Sequence, residues 1–179
     1  ATSVLPLIAS DASLNLAGVD AQDINVNDVT LENLILNNAN GASLNGAMNL
    51  EGVLTLSNGV LNTNDNLTLK SSSGKTAIVD QVLSGSVAGD VTVEQFYSNK
   101  RAYRLLGSTV TTSTSIFENW QQNGLNPGDM NYISGYGTQI TGGAVSDGFD
   151  QSGSNAVSMF TYNNASQVWE GIPNTNATN

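Results

Sequence analysis

Ionic chemistry in this chain falls to five cations and fifteen carboxylates. The cations, Lys70, Lys75, Lys100, Arg101 and Arg104, all lie in one central stretch. In Lys100-Arg101-Ala102-Tyr103-Arg104 charge sits beside an aromatic ring, an arrangement suited to a carboxylated sugar or a phosphate, and Arg104 is the leading ligand-binding candidate. The alternative is structural, with Lys100 and Arg101 at a domain junction pairing with acids such as Glu94. Asn126-Pro127-Gly128-Asp129 and Asp147-Gly148-Phe149-Asp150 are turns carrying hard oxygen ligands. Asp129, Asp147 and Asp150 are therefore candidates for Ca²⁺. Their spacing is neither that of an EF-hand nor that of a nonapeptide Ca²⁺ repeat, and plain β-turns bonded to their own backbone stand as the other reading. Asp20, Asp23, Asn25, Asn27 and Asp28 admit the same two readings. Trp120, Tyr132, Tyr136 and Trp169 could form a flat platform for sugar rings, with Trp120 and Tyr136 as the ligand-binding candidates. The region is poor in other large apolar residues, so Trp120 and Trp169 are expected in the core.

Composition narrows the chemistry further. The chain has no histidine and no cysteine, which removes histidine general bases, the usual zinc sites, cysteine nucleophiles and disulfides. Glycosidase action needs two carboxylates held a fixed distance apart, which the sequence does not reveal. β-Helical lyases pair Ca²⁺ with a basic proton acceptor, a role open to Arg101 or Arg104, but the long catalytic loops are missing. No enzyme is expected. A net charge of −10 disfavours nucleic acid and anionic lipid as partners. Charged residues are only 11 %, under half the usual share, and 24 Asn and 18 Gly replace them as wetting groups, as in exported β proteins. Asn66-Leu67-Thr68, Asn164-Ala165-Ser166 and Asn176-Ala177-Thr178 fit the glycosylation pattern, and chance matches are expected in so Asn-rich a chain.

No apolar run is long enough to span a membrane as a helix. The opening segment, with Val4, Leu5, Leu7 and Ile8, is too short for that and lacks the basic flank of a signal peptide. It reads as a mature or excised N-terminus, residues 1–9 forming a strand that caps its own fold or pairs with a neighbouring copy. The polar tail from Pro173 to Asn179 closes no visible element, and the native polypeptide is expected to continue.

The elements that must position these groups are β-strands. Leu14/Leu16, Ile24/Val26, Val29/Leu31, Leu34/Leu36, Ala42/Leu44, Met48/Leu50, Leu54/Leu56 and Leu67/Leu69 each place two apolar side chains on one strand face. Asn40-Gly41, Asn45-Gly46 and Asn58-Gly59 punctuate them as turn pairs. Leu31, Leu50 and Leu69 recur every 19 residues, and Leu31-Glu32-Asn33-Leu34 echoes Leu50-Glu51-Gly52-Val53. Three short strands per repeat is the pattern of a β-helix-like solenoid; the alternative is a β-sandwich with short strands. Ser71-Ser72-Ser73-Gly74 interrupts the repeat, strand character resumes at Ala77–Val79 and Gln81–Leu83, Gly85 and Gly89 flank a turn, and Asp90–Tyr97 alternates as a half-buried strand.

The first 95 residues contain no aromatic residue, and both Trp follow residue 98, so a second packing unit is expected there. Ser115–Gln122 alone has helical spacing, and it stops at Asn123-Gly124. Val157–Tyr162 and Gln167–Ile172 are predicted to pair as a hairpin. The expected architecture is all-β: a β-helix-like solenoid over 10–97 followed by a β-sandwich-like unit over 98–179.

Val91-Thr92-Val93-Glu94, Lys100-Arg101-Ala102-Tyr103-Arg104-Leu105-Leu106, Phe117-Glu118-Asn119-Trp120-Gln121 and Phe160-Thr161-Tyr162 with Trp169 carry a resemblance. Over roughly residues 29–175 the chain resembles large secreted surface proteins of Bacteroidota, in which a short β-helix-like section leads into a strand V-T-V-E-R-Y, then K-R-A-W/Y-R-L-L, then an aromatic β region. Gln95 stands where that family often has a basic residue, and the family's C-terminal sorting domain is not in this sequence. The resemblance implies export by the type IX secretion system and a place at the cell surface as an adhesin or filament, and it assigns no site residues. The leading expectation is thus a structural or adhesive extracellular protein that associates with copies of itself. The alternative is a carbohydrate-binding module of a larger secreted polysaccharide-active protein.

Overall fold

The computed structural model describes residues 11–98, 102–107, 110–121 and 137–177. The chain forms two compact units, Ala1–Thr109 and Val110–Asn179. The apolar segment around Val4, Leu5, Leu7 and Ile8 lies outside the described residues, as do Asp129, Tyr132 and Tyr136.

The first unit is a β-solenoid. Its first coil carries β1 (Ser13–Leu16), β2 (Gln22–Asn25) and β3 (Val29–Leu31), and its second β4 (Asn33–Asn37), β5 (Ala42–Asn45) and β6 (Met48–Leu50). In the third coil β7 (Val53–Asn62) runs without interruption across two sides and β8 (Leu67–Leu69) forms the third. The fourth coil has β9 (Ile78–Val79), β10 (Ser84–Ala88) and β11 (Val91–Val93). Every pairing between coils is parallel. The expected 19-residue step is a literal register for Leu31 on Leu50 and Leu50 on Leu69, and the interrupting loop lengthens the next step, in which Leu69 faces Val93.

The paired apolar residues fill the interior because strand side chains alternate and the stacking is in register. Leu14 stacks on Leu34 and Leu54, Leu16 on Leu36 and Leu56, and Val29 on Met48 and Leu67. Leu31, Leu34, Leu36, Leu44, Leu50 and Leu61 are completely buried. Each such leucine contributes roughly 1.5–3 kcal/mol, which offsets the ordering of so many short strands.

The asparagines have structural work at the corners. Asn45 Nδ2 donates to Asn25 Oδ1 (3.4 Å) and Asn64 Nδ2 to Asn45 Oδ1 (3.3 Å), a ladder running up three coils. Buried Asn38 donates to the Asp20 carbonyl (2.8 Å) and to Gln22 Oε1 (3.0 Å). Asp28, one of the acidic group considered for a metal, instead accepts from Asn49 Nδ2 (3.1 Å). Gly46 has φ of 106°, and a Cβ there would lie 2.0 Å from the Val26 carbonyl oxygen of the coil beneath.

Four local expectations are corrected. Asn58-Gly59 is not a turn between strands: it lies inside β7, where the register with β4 slips by one residue so that the strand rounds the corner. Gln81–Leu83 precedes the strand rather than forming it, and Gly85 lies inside β10 opposite Gly59. Ladder continuity places that strand, since Ser84–Ala88 stacks directly on Asn58–Asn62. The alternating run Asp90–Tyr97 is strand only at Val91–Val93, the stretch that β8 supports from below.

Ser71 and Thr76 form an antiparallel bridge that closes the interrupting loop. That loop lets Lys75 reach Glu32 (2.5 Å) and Glu51 (3.7 Å), two acids stacked by the repeat. Lys70 pairs with Glu94.

In the second unit, a helical turn at Phe117–Gln121 of π type and a 3-10 turn at Val145–Asp147 accompany the hairpin β12 (Phe160–Asn163) and β13 (Val168–Gly171). The helical expectation holds as one wide turn over Phe117–Gln121, while Gln122 and the stop at Asn123-Gly124 lie outside the described residues. Its small core is Ile140, Phe149 and Ile172, with Ile116, Trp120 and Met159 packed against it.

Candidate functional site

The hairpin presents an exposed aromatic face of defined geometry. Tyr162 stands opposite Trp169 in the register, and Phe160 opposite Gly171, so alternation puts Phe160, Tyr162 and Trp169 on one face. The Tyr162 and Trp169 ring centroids are 5.1 Å apart, tilted by 56°, a favourable aromatic geometry. The Tyr162 hydroxyl donates to Gln167 Oε1 (3.0 Å), and Asn163 Nδ2 donates to Glu170 Oε1 (2.9 Å). Gln167 is thus the polar group beside the rings, while the Asn163–Glu170 bond lies on the opposite face of the hairpin. Trp169 is 57 % exposed, which overturns its expected place in the core. Two strands alone have no second layer to bury both faces. Phe160 and Tyr162 were missed as site residues, although the period-2 spacing across a four-residue connection to Trp169 was a usable signal.

Trp120 is half-buried against Ile140, Phe149 and Ile172, so its place beside the core holds. Arg104 Nη2 donates to the Ser98 carbonyl (2.8 Å), and its guanidinium lies 5.5 Å from the centre of the Tyr97 ring. That ring contact is a cation–π arrangement.

The carboxylates proposed for Ca²⁺ are deployed differently. Asp150 Oδ2 accepts from Gln121 Nε2 (2.8 Å) and from the Ile140 backbone N–H (2.7 Å), while Asp147 is exposed and its carbonyl accepts from Thr175 N–H. Among the described residues no group of three acidic side chains is positioned to hold a metal. Gln121 is fully buried, its amide also donating to the Gly148 carbonyl (3.1 Å). The clamp joins positions 29 residues apart, and no sequence signal foretold it.

At Ser115 the spacing S-x-x-E makes a capping box. The Ser115 N–H and hydroxyl both donate to Glu118 Oε2 (2.9 Å each), and Glu118 N–H donates to Ser115 Oγ (3.2 Å). These bonds, the backbone one first, hold the Glu118 carboxyl below its ordinary value.

In the solenoid, a shallow groove of about 250 Å³ runs past Asp23, Asn40, Ser43, Val60 and Asn62. The last coil is different in kind: Val79 is 47 % and Leu83 71 % exposed, whereas Leu54 and Leu56 in the coil below are buried. Among the described residues no helix is long and apolar enough to cross a membrane.

The fold and these surfaces define an all-β protein built on a β-solenoid. No protein-family model, curated protein or solved structure matches the chain.

Proposed function

We propose that this chain is a non-enzymatic structural or adhesive component of a bacterial cell surface, with the solenoid as a rigid spacer and the second unit as a β-sandwich-like module. The observation that carries this reading is the stack of four coils filled by side chains and edged by asparagine ladders. Such a construction specifies shape and stiffness, and the exposed ladder of neutral amides keeps it hydrated without charge. The resemblance to secreted Bacteroidota proteins supports an extracellular position reached by type IX secretion. Immunogold labelling of intact cells tests the position: label confined to the cell interior overturns it. Turnover of any polysaccharide by the purified chain overturns the non-enzymatic part.

The Phe160, Tyr162 and Trp169 face favours a second reading, a carbohydrate-recognition module. Sugar rings stack through their C–H patches on such faces, and Gln167 meets the Tyr162 hydroxyl at its edge. A glycan array separates the readings: binding that disappears in Trp169→Ala and Tyr162→Ala, with the fold retained, favours recognition. An array without signal favours the structural role.

A further inference from the structure

We propose that the fourth coil of the solenoid is a docking surface for the first coil of a second copy, so that solenoids extend head to tail. This rests on the structural reading above and names its partner.

The surface is an interrupted ladder. Ile78 and Asp80 N–H groups bond back to Gly52 and Leu54, and Glu94 N–H bonds back to Leu69. In a parallel ladder alternate residues turn their backbone groups to opposite sides, so Val79, Val91 and Val93 direct theirs away from the third coil. No described strand pairs on that side. These same residues continue the interior columns, Val79 above Leu54, Val91 above Leu67 and Val93 above Leu69, yet Val79 is 47 % exposed and Leu83 71 %. Outward backbone and incompletely covered apolar rungs coincide on the β9 and β11 sides, with Val79 exposed and Val91 and Val93 half-buried, the condition that edge strands normally avoid.

The occupant follows from the contact already present between successive coils. That contact recurs three times within the chain, always parallel, and in register apart from the one-residue slip between β4 and β7. A partner must supply three short parallel edges at once, with apolar side chains at the same inward positions. The first coil has that form: β1 to β3 pair only with the second coil among the described residues, and Leu14, Val26 and Val29 are only half-buried at inward positions. Extending the columns sets Leu14 over Val79, Val29 over Val91 and Leu31 over Val93. Both ends belong to one rod with one strand direction, so the contact is heterologous and does not close, which generates chains of copies.

Charge opposes it. The first coil carries Asp20, Asp23 and Asp28 and the fourth Asp80 and Asp90, so the approaching ends repel one another. Salt screens such exposed charges at short range, and assembly strengthens as salt rises.

The test is sedimentation velocity on the intact chain over a range of concentration and NaCl, with two variants. Leu83→Lys together with Val79→Lys blocks the fourth coil, and Leu14→Lys blocks the first. The wild type is expected to form a series of growing species favoured by salt, and each variant to associate at least about tenfold more weakly. An equimolar mixture of the two variants, each with one intact end, should stop at heterodimers. If a variant loses its β-sheet circular dichroism, amide exchange on the wild type decides instead: the Val79 and Val93 amides should become protected on concentration. A wild type that stays monomeric up to about 1 mM in high salt, a species that closes at two copies, or a variant mixture that forms nothing overturns the proposal. Surface retention of the blocked variant is scored separately. A monomer that is still retained refutes assembly alone, whereas assemblies absent from the cell surface refute the structural reading alone.

Discussion

Leu50 and Ile140 are both buried, at 0 % and 3 % exposure, but different neighbours bury them. Leu50 lies between Leu31 and Leu69 in a column of like residues, so what surrounds it is written again one repeat earlier and later. Ile140 shares a small core with Phe149 and Ile172, and its N–H is held by the Asp150 carboxylate. Nothing in that arrangement repeats. Repetition gives the solenoid many equivalent apolar contacts, while the second unit depends on a few unique polar ones.

The largest expected effect separates the two kinds of position within the solenoid itself. Leu50→Ala leaves a cavity in a fully packed column and should cost about 2–5 kcal/mol, read by urea denaturation. Val79→Ala, on the open fourth coil, should cost under ~1 kcal/mol. Equal losses at the two positions would mean that the fourth coil is covered in the native protein. Next comes the clamp in the second unit. Asp150→Ala strands the Ile140 N–H and leaves the Gln121 amide with the Gly148 carbonyl as its remaining acceptor, and one unsatisfied buried donor costs about 1–3 kcal/mol. Asp150→Asn keeps an acceptor oxygen and should cost less. If the two substitutions are indistinguishable, the hydrogen bonds are not what holds this core.

The same contrast sets what could be read from the sequence. The inward pairs from Leu14/Leu16 to Leu67/Leu69 were legible because a period of two within strands and of 19 or 20 between them report the same contacts twice. The slip inside β7 was not, since Asn58-Gly59 signals a turn locally and only the coil beneath makes it a bulge. In the second unit, Asp150 was legible as an acid with either a Ca²⁺ or a turn role, but not as the acceptor for Gln121 and Ile140, because those partners are brought to it by tertiary structure. Trp169 was misassigned to the core for a related reason. Its size argues for burial, but burial requires an opposing layer, and alternation within a hairpin does not say whether one exists.

Trp169→Ala is therefore informative through its smallness. A buried tryptophan costs about 3–5 kcal/mol on truncation, whereas the exposed ring loses chiefly its contact with Tyr162, about 1 kcal/mol. Thermal melts of the variant check this. A loss above ~3 kcal/mol would show that another layer covers the aromatic face.

The smallest effects come from two exposed charges, and they oppose one another in pH. Glu118 in the second unit has its carboxyl held low by the Ser115 N–H and hydroxyl. Its contribution is fully present above the unfolded glutamate value and is lost as pH falls through the lower folded value. Lys75 in the solenoid has its ammonium pKa raised, first by the hydrogen bond to Glu32, which outweighs the opposing loss of hydration, and further by the charges of Glu32 and Glu51. Its contribution is fully present below the unfolded lysine value and is lost as pH rises through the higher folded one. The two substitutions should thus flatten opposite ends of the stability profile. Glu118→Gln removes part of the acid dependence and leaves the alkaline limb intact, while Lys75→Met does the reverse and also leaves Glu32 and Glu51 stacked without their counter-ion. That repulsion persists near neutrality, so Lys75→Met should gain back stability with added salt, as Glu118→Gln should not. Denaturation midpoints across pH at low and high salt check both. Matching profiles for the two variants would mean that neither local bond sets its unit's response to pH.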